Sequence, residues 1–256
     1  MPVAAGQDGR VSESSLPGGF VNVSVRVGDT VRRRPAARAE FVHQLLGLLE
    51  RVGWDGAPRF LGIDDQGREV LSFVDGHVAW EPVQPVEVDS DESLMRVAEL
   101  VREFHDLMAA TNLAGDGEVV CHNDLSPKNT VYRDLGAGLR PVAFIDWDLA
   151  SPGRRIHDIA HVCWQYVGLG PGIVDVGGAA RRVRLVRDTY GLIDRRELVD
   201  VILWWQDRCW RGIATAAAAG DPAMVRLREA GVVREVQAAH AWVEQHRVEL
   251  ASGLGR

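Results

Sequence analysis

The side chains whose types and spacing could do chemistry lie at residues 119–148. They read V-V-C-H-N-D-L-S-P-K-N-T, then a short loop, then V-A-F-I-D-W-D. Asp124 stands five residues before Asn129, and Asp146 closes an apolar run. Phosphoryl transfer needs these parts. One carboxylate orients a substrate hydroxyl, while an amide oxygen and a second carboxylate hold Mg²⁺ against a nucleotide's phosphates. Magnesium takes hard oxygen ligands and keeps several waters, so one Asn and one Asp suffice beside the phosphates.

The spacing H-x-D-x-x-x-x-N, from His122 to Asn129, matches the protein-kinase catalytic loop. Asp146 stands where the metal-binding Asp of D-F-G would stand. With Ile145 before Asp146, and Asp158-Ile159-Ala160 soon after, the pattern resembles the aminoglycoside phosphotransferases and choline-kinase-like small-molecule kinases. The resemblance is specific only around residues 119–160. It implies an α+β, two-lobed protein-kinase-like fold: an N-terminal antiparallel sheet with one main helix, then a mostly helical lobe with the catalytic loop and substrate cleft. The expected divisions are a flexible N-terminus at 1–15, a nucleotide-binding lobe at 16–75 and the helical lobe at 76–256. The resemblance also implies ATP as co-substrate and Mg²⁺, with Asp124 catalytic and Asn129 and Asp146 on the metal. Gly18, Gly19 and Asn22, in L-P-G-G-F-V-N, are expected to cover the nucleotide. Their glycines let backbone amides approach phosphates, although Pro-Gly-Gly alone is also a plain turn. The backbone of Ser72 and Val74 is expected to face the adenine at the hinge, on a segment that reads equally as a core strand.

The chain departs from the family where cations are concerned. Kinases carry a Lys on the third strand that pairs the phosphates and a helix Glu. Here that strand reads T-V-R-R-R-P, so Arg33 is the expected stand-in, with Arg32 the runner-up. Glu40 is the nearest carboxylate on the following helix, and His43 occupies a position where the partner Glu would be sought. Ser126 replaces a Lys or His common in relatives. Its hydroxyl can donate to a phosphate oxygen but brings no charge. Lys128 is the one lysine among 29 strong cations, and it falls inside the loop. A compact ammonium suits a phosphate differently from a guanidinium, so Lys128 joins Asp124 and Ser126 as a candidate catalytic residue. The plainer reading is that some position had to carry the leftover Lys.

The elements that must position these groups follow from periodicity. Val21, Val23, Val25 and Val27 alternate with polar residues as a half-buried strand, Gly28-Asp29 turns, and Thr30–Arg34 returns. A helix after Pro35 carries Phe41, Leu45, Leu48 and Leu49 on one face. Strands are expected at 60–63 and 70–74. A long helix from about residue 90 carries Leu94, Val97, Ala98, Val101, His105 and Met108 at helical spacing, with Asp89 and Glu92 as its capping box. His105 on that face reads as a satisfied core histidine. A later helix begins at an Asp194–Glu197 box and stops at Gly220 and Pro222. Tryptophans 164, 204, 205, 210 and 242 line either a cleft or, more plainly, the core.

Other chemistries are weaker. His157 and His161 lie at i, i+4, but a zincin needs Glu after the first His and a third ligand. Asp158 reads better as a buried carboxylate bracing the catalytic loop. Asp148 is a second metal ligand if the segment is extended, and otherwise a solvent-facing loop residue, the plainer of the two. The chain has no G-x-x-x-x-G-K-[ST] and no G-x-S-x-G. A net charge of −7 disfavours nucleic acid. The three separated cysteines, the absence of a secretory pattern and the lack of a membrane-length apolar run point to a reduced, cytoplasmic protein. The expected activity is ATP-dependent transfer of the γ-phosphoryl group to a hydroxyl of a small molecule, with aminoglycoside-type antibiotics among the candidate acceptors. The alternative is a non-catalytic nucleotide- or ligand-binding immunity or regulatory protein on the same scaffold, which the Arg-for-Lys exchange favours.

Overall fold

Two short Val- and Arg-rich segments flank Gly28-Asp29 and pair as a hairpin in the computed structural model, which describes residues 13–17, 24–193 and 197–252. Gly28 turns at φ 60, a conformation that costs glycine little. The strands are β1 (Glu13–Ser15), β2 (Val25–Val27), β3 (Thr30–Arg33), β4 (Phe60–Ile63) and β5 (Glu69–Ser72). They form one antiparallel sheet in the order β1-β2-β3-β5-β4. Helix α1 (Ala39–Arg51) joins β3 to β4. It buries Val42, Leu45, Leu46 and Leu49, so the apolar stripe is rotated from the expected one, with Phe41 and Leu48 at its margin. Because β3 pairs with β5, Arg33 lies directly opposite Glu69. Cross-strand partners share a sheet face, so the register brings their side chains together.

Gly76 follows the sheet with φ 149, where a Cβ would come within 2.6 Å of the Tyr132 carbonyl oxygen. Beyond it, β6 (His77–Val78), β8 (Thr130–Asp134) and β9 (Leu139–Phe144) form a three-stranded sheet, and β7 (Val119–Cys121) pairs with β10 (Ser151–Gly153). These small sheets present the loop at residues 122–129. β7 leads into it, a 3-10 turn at Pro127–Asn129 carries it, β8 leads out, and β9 ends just before Asp146.

Helices make up the rest: α2 (Asp91–Met108), α3 (Arg155–Val167), α4 (Val176–Tyr190), α5 (Leu198–Ala218), α6 (Pro222–Glu229), α7 (Val232–Gln245) and α8 (Arg247–Ser252). This sheet-plus-helical arrangement is the expected kinase-like α+β fold. α2 buries the expected stripe, but its cap is Ser90, whose side chain accepts from the Ser93 N–H, and not Asp89. Hydroxyls and carboxylates cap by the same geometry, and Ser90 takes the role one residue after the expected Asp89. Glu197 starts α5 without a capping bond and pairs instead with Arg154, while Asp194 lies outside the described residues. Trp164, Trp205 and Trp242 are buried, whereas Trp204 is partly exposed and stacks on His157. Among the described residues no helix is long and apolar enough to cross a membrane.

The two lobes share one core, in which Leu45 and Leu49 of α1 belong with Phe104 of α2. Trp54, Phe104 and Trp147 pack ring to ring, with centroids 4.9–6.4 Å apart. α3 is the central strut. Its His161 is buried, its Nδ1 is bonded to the Leu125 carbonyl at 2.8 Å, and burial lowers its pKa to about 4. The unfolded chain therefore binds a proton that the folded protein does not, and stability must drop as pH falls from about 6.5 toward about 4. The full effect is on the order of 3 kcal/mol. His161→Gln keeps a donor for Leu125 and removes the titration. Urea unfolding of both proteins between pH 7.5 and 4.5 should show a shallower acid loss in the variant, and equal losses would refute this account.

Candidate active site

Asp158 is fully buried, and its carboxylate organises the segment after β7. It accepts the backbone N–H groups of His122 (2.7 Å) and Asn123 (2.8 Å) and the Nε2–H of His105 (3.0 Å). Burial opposes its charge. These hydrogen bonds and the nearby imidazoles nonetheless hold the carboxyl below its usual range. His105 Nδ1 meets the Tyr190 hydroxyl at 2.8 Å, and Arg155 donates to that hydroxyl, so the brace reaches from the loop through α2 to α4. Asn123 is held at φ 65, with its side chain donating to Leu149 O and Ser151 Oγ. Left-handed backbone at a non-glycine residue persists only where surroundings enforce it.

That enforced turn presents Asp124. Asn129 donates its amide nitrogen both to the Asp124 carbonyl and to its carboxylate, each at 2.8 Å. The Asn129 Oδ1 is then the end left for another partner. Asn129 O accepts the Ile145 N–H at 2.9 Å, and the His122 ring donates to Ile145 O at 3.1 Å. His122 Nδ1 also accepts the Asp124 N–H, so this buried imidazole ties Asp124 to the approach of Asp146. Burial, followed by the nearby Asp146 charge, pushes the Asp124 carboxyl up to about 7, against the Asn129 hydrogen bond. Asp146 itself sits at φ 62 with its side chain 47% exposed.

Arg33 enters this site from the sheet. Its Nε donates to Glu69 at 2.5 Å, Nη1 to Asp146 at 3.0 Å and Asp148 at 3.3 Å, and Nη2 to Asp148. Burial opposes its charge, but Asp148, Glu69 and Asp146 raise its pKa. Asp148 is therefore packed against the guanidinium and is not a solvent-facing loop residue. Both carboxylates meet the same guanidinium, although Asp146 is in left-handed and not in extended backbone. The carboxylate paired with Arg33 is Glu69 on the adjoining strand, while Glu40 is exposed. The strand register carried that signal, and spacing along the helix could not.

The remaining expected residues scatter. Ser126 is buried and its carbonyl accepts from Asn129 N–H and Thr130 Oγ1, while Lys128 is exposed on the same turn. Ser72 ends β5, with its Oγ accepting the Arg59 N–H, and Val74 follows on the stretch toward β6. Gly18, Gly19 and Asn22 lie outside the described residues. Arg32 pairs with Asp64, away from Asp146. No zinc-like trio includes His157 and His161 among the described residues. His105, Cys121 and Asp158 do approach one another, but the Cys121 thiol donates to Arg154 O and burial drives its pKa up. A thiol kept protonated is no metal ligand.

One guanidinium among three carboxylates leaves two formal negative charges in the cleft. Hard oxygens with that surplus fit a divalent cation such as Mg²⁺. Fold and site together define a kinase-like phosphotransferase scaffold. The Phosphotransferase enzyme family model matches residues 109–194. The Trifolitoxin immunity protein of Rhizobium leguminosarum bv. trifolii is 33% identical over 207 residues, covering 70% of this chain and 74% of that protein. The chain belongs to this phosphotransferase family. The solved GDP and kanamycin complex of APH(2")-IIia shares its fold at TM-score 0.59 and 19% identity, covering 89% of this chain and 93% of that one. A choline/ethanolamine kinase family protein from Mesorhizobium loti does so at TM-score 0.56 and 17% identity, over 95% and 92%.

Replacing Asp158 with Ala strands two loop N–H groups and His105 in the core. Breaking such a buried, paired charge costs about 3–5 kcal/mol. Chemical denaturation of Asp158→Ala should show that loss, and a cost under about 1 kcal/mol, typical of an isolated surface pair, would remove Asp158 as the brace.

Proposed function

We propose that this protein is an ATP-dependent phosphotransferase that moves the γ-phosphoryl group to a hydroxyl of a small molecule. Aminoglycoside-type antibiotics are the first acceptor class to test. The observation that carries the reading is the Asp124–Asn129–Asp146 group, held together by the Asn129 amide, His122 and Ile145. Asp124 orients the acceptor hydroxyl and takes its proton as the new O–P bond forms and the bond to the β-phosphate oxygen breaks. Asn129 fixes the Asp124 carboxylate in one rotamer. Asn129 Oδ1 and Asp146 are the residues that would hold Mg²⁺, which supplies charge neutralisation for the phosphates. Arg33 places a fixed positive charge at the sheet side of the cleft, while Ser126 and Lys128 stand on the loop for phosphate oxygens. Gly18, Gly19, Asn22 and the backbone of Ser72 and Val74 complete the nucleotide site. Positioning and preset charge are then the main sources of rate.

A second reading, a non-catalytic immunity protein, is favoured by two observations. Arg33 replaces the usual lysine and is already engaged by three carboxylates, and a relative is named as an immunity protein. A pure binder has no need of Asp124 beside Asn129, and a phosphotransferase that modifies a toxin would itself confer immunity.

Asp146→Ala should abolish Mg²⁺-dependent ATP binding, measured by calorimetry with and without the metal. Persistence of tight, metal-dependent binding would overturn the metal assignment. Asp124→Asn should leave nucleotide affinity nearly unchanged while phosphoryl transfer, across a panel of aminoglycosides, choline, homoserine and sugars, falls about 10²–10⁴-fold. Transfer at the wild-type rate would remove Asp124 from catalysis. ATP binding by wild type without turnover on any acceptor would favour the binder.

A further inference from the structure

Protein kinases tie the third-strand cation to a glutamate on the following helix. In this chain the carboxylate has moved to the neighbouring strand, as Glu69, and α1 contributes an imidazole. His43 Nε2 lies 2.8 Å from Glu69 Oε2, while Glu69 Oε1 takes the Arg33 Nε–H at 2.5 Å. Each carboxylate oxygen thus has one partner, and the carboxylate plane is set by both. The His43 ring is itself fixed by stacking on Phe60 of β4, at 3.7 Å between centroids and 11° between planes. Glu69 is 1% exposed, so its orientation is not shared with bulk water. At the far end of the same guanidinium are Asp146 and Asp148.

We propose that His43 is a positioning residue for the nucleotide site. Through Glu69 it sets the orientation of Arg33 and so makes the placement of Asp146 and Asp148 depend on the docking of α1. The helix–strand tie of a kinase is kept, with the acid and its partner exchanged between helix and sheet. This deepens the proposed function and rests on it for the statement that the positioned groups meet a nucleotide. The local claim, that His43 orders Arg33, stands independently.

The test separates the hydrogen bond from the stacking. His43→Phe keeps a ring on Phe60 and loses the bond, whereas His43→Gln loses the ring and keeps an N–H that can reach Glu69. The direct readout is hydrogen exchange of the Arg33 Nε–H, followed by nitrogen-15 NMR in the full chain. Slow exchange is expected in wild type and His43→Gln, and fast exchange in His43→Phe. Exchange unaffected by His43→Phe, or accelerated equally in both variants, overturns the proposal. ATP affinity is measured on the same samples, with melting temperature as a check on folding. His43→Phe should weaken ATP binding about 10–100-fold, the effect of losing a hydrogen bond to a charged group. His43→Gln should stay within about threefold of wild type, a residual far smaller than that loss. Glu69→Gln should weaken binding similarly, and adding His43→Phe to it should do little more, as expected of residues acting through one contact. If Arg33 ordering follows His43 but wild type binds no nucleotide, the proposed function fails while the positioning role holds.

Discussion

A single buried guanidinium governs the electrostatics of the cleft. Arg33 projects from the sheet and holds Glu69 of the same sheet together with Asp146 and Asp148 of the segment after β9. Charges in a protein interior persist only when paired with good geometry. Removing Arg33 would leave three carboxylates to repel one another across the lobes. Their number also exceeds what one cation can neutralise. The cleft is therefore built with a negative surplus that suits a divalent ion, and an arginine anchors that surplus to the sheet.

The second organising charge is of the opposite kind. Among the described residues the one side chain that hydrogen-bonds Asp158 is the His105 imidazole, and its other partners are N–H groups of the backbone it supports. It fixes where the chain turns at Asn123, and so where Asp124 emerges. The His122 ring and the Asn129 carbonyl carry that placement across to Ile145, one residue from Asp146. Asp124 and Asp146 are held by contacts that share members, so neither can move far alone. Groups kept by interlocked hydrogen bonds tolerate little displacement, as the proposed chemistry by positioning would require.

The use of arginine for the usual lysine has structural consequences beyond charge. An ammonium is a point donor, whereas the guanidinium forks and can hold two acids in one plane. The fork here bridges Asp146 and Asp148, and its Nε faces Glu69. Moving the partner acid from helix to strand matches that geometry, since a cross-strand neighbour lies beside the stem of Arg33. His43 then fills the place on the helix. These changes hang together as one rearrangement of the charges around Arg33.

How much of this was legible without coordinates depends on the range of the interactions. Periodicity and turn residues gave the strands and the long helices, because those signals are local along the chain, and the kinase-like fold class was implied by the family resemblance of residues 119–160. The spacing of His122, Asp124, Asn129 and Asp146 named a coherent chemical set for the same reason, as it lies on one strand–loop–strand unit. Asp158 as a brace and His105 as a core histidine were also readable from their motif and helical face. What followed from strand order was not. Glu69 opposes Arg33 only because β3 pairs with β5 and not with β4, and a pairing across 36 residues leaves no mark in either segment. Asp148 changed from an expected surface residue to an Arg33 partner because a group from the other lobe meets it. The cap of α2 shifted by one residue because two capping residues stood side by side. The amino-acid sequence by itself determined which groups were available and the elements that carry them. Only the tertiary structure decided which charges face each other, because electrostatic pairing depends on distance in space, and register and lobe packing set that distance.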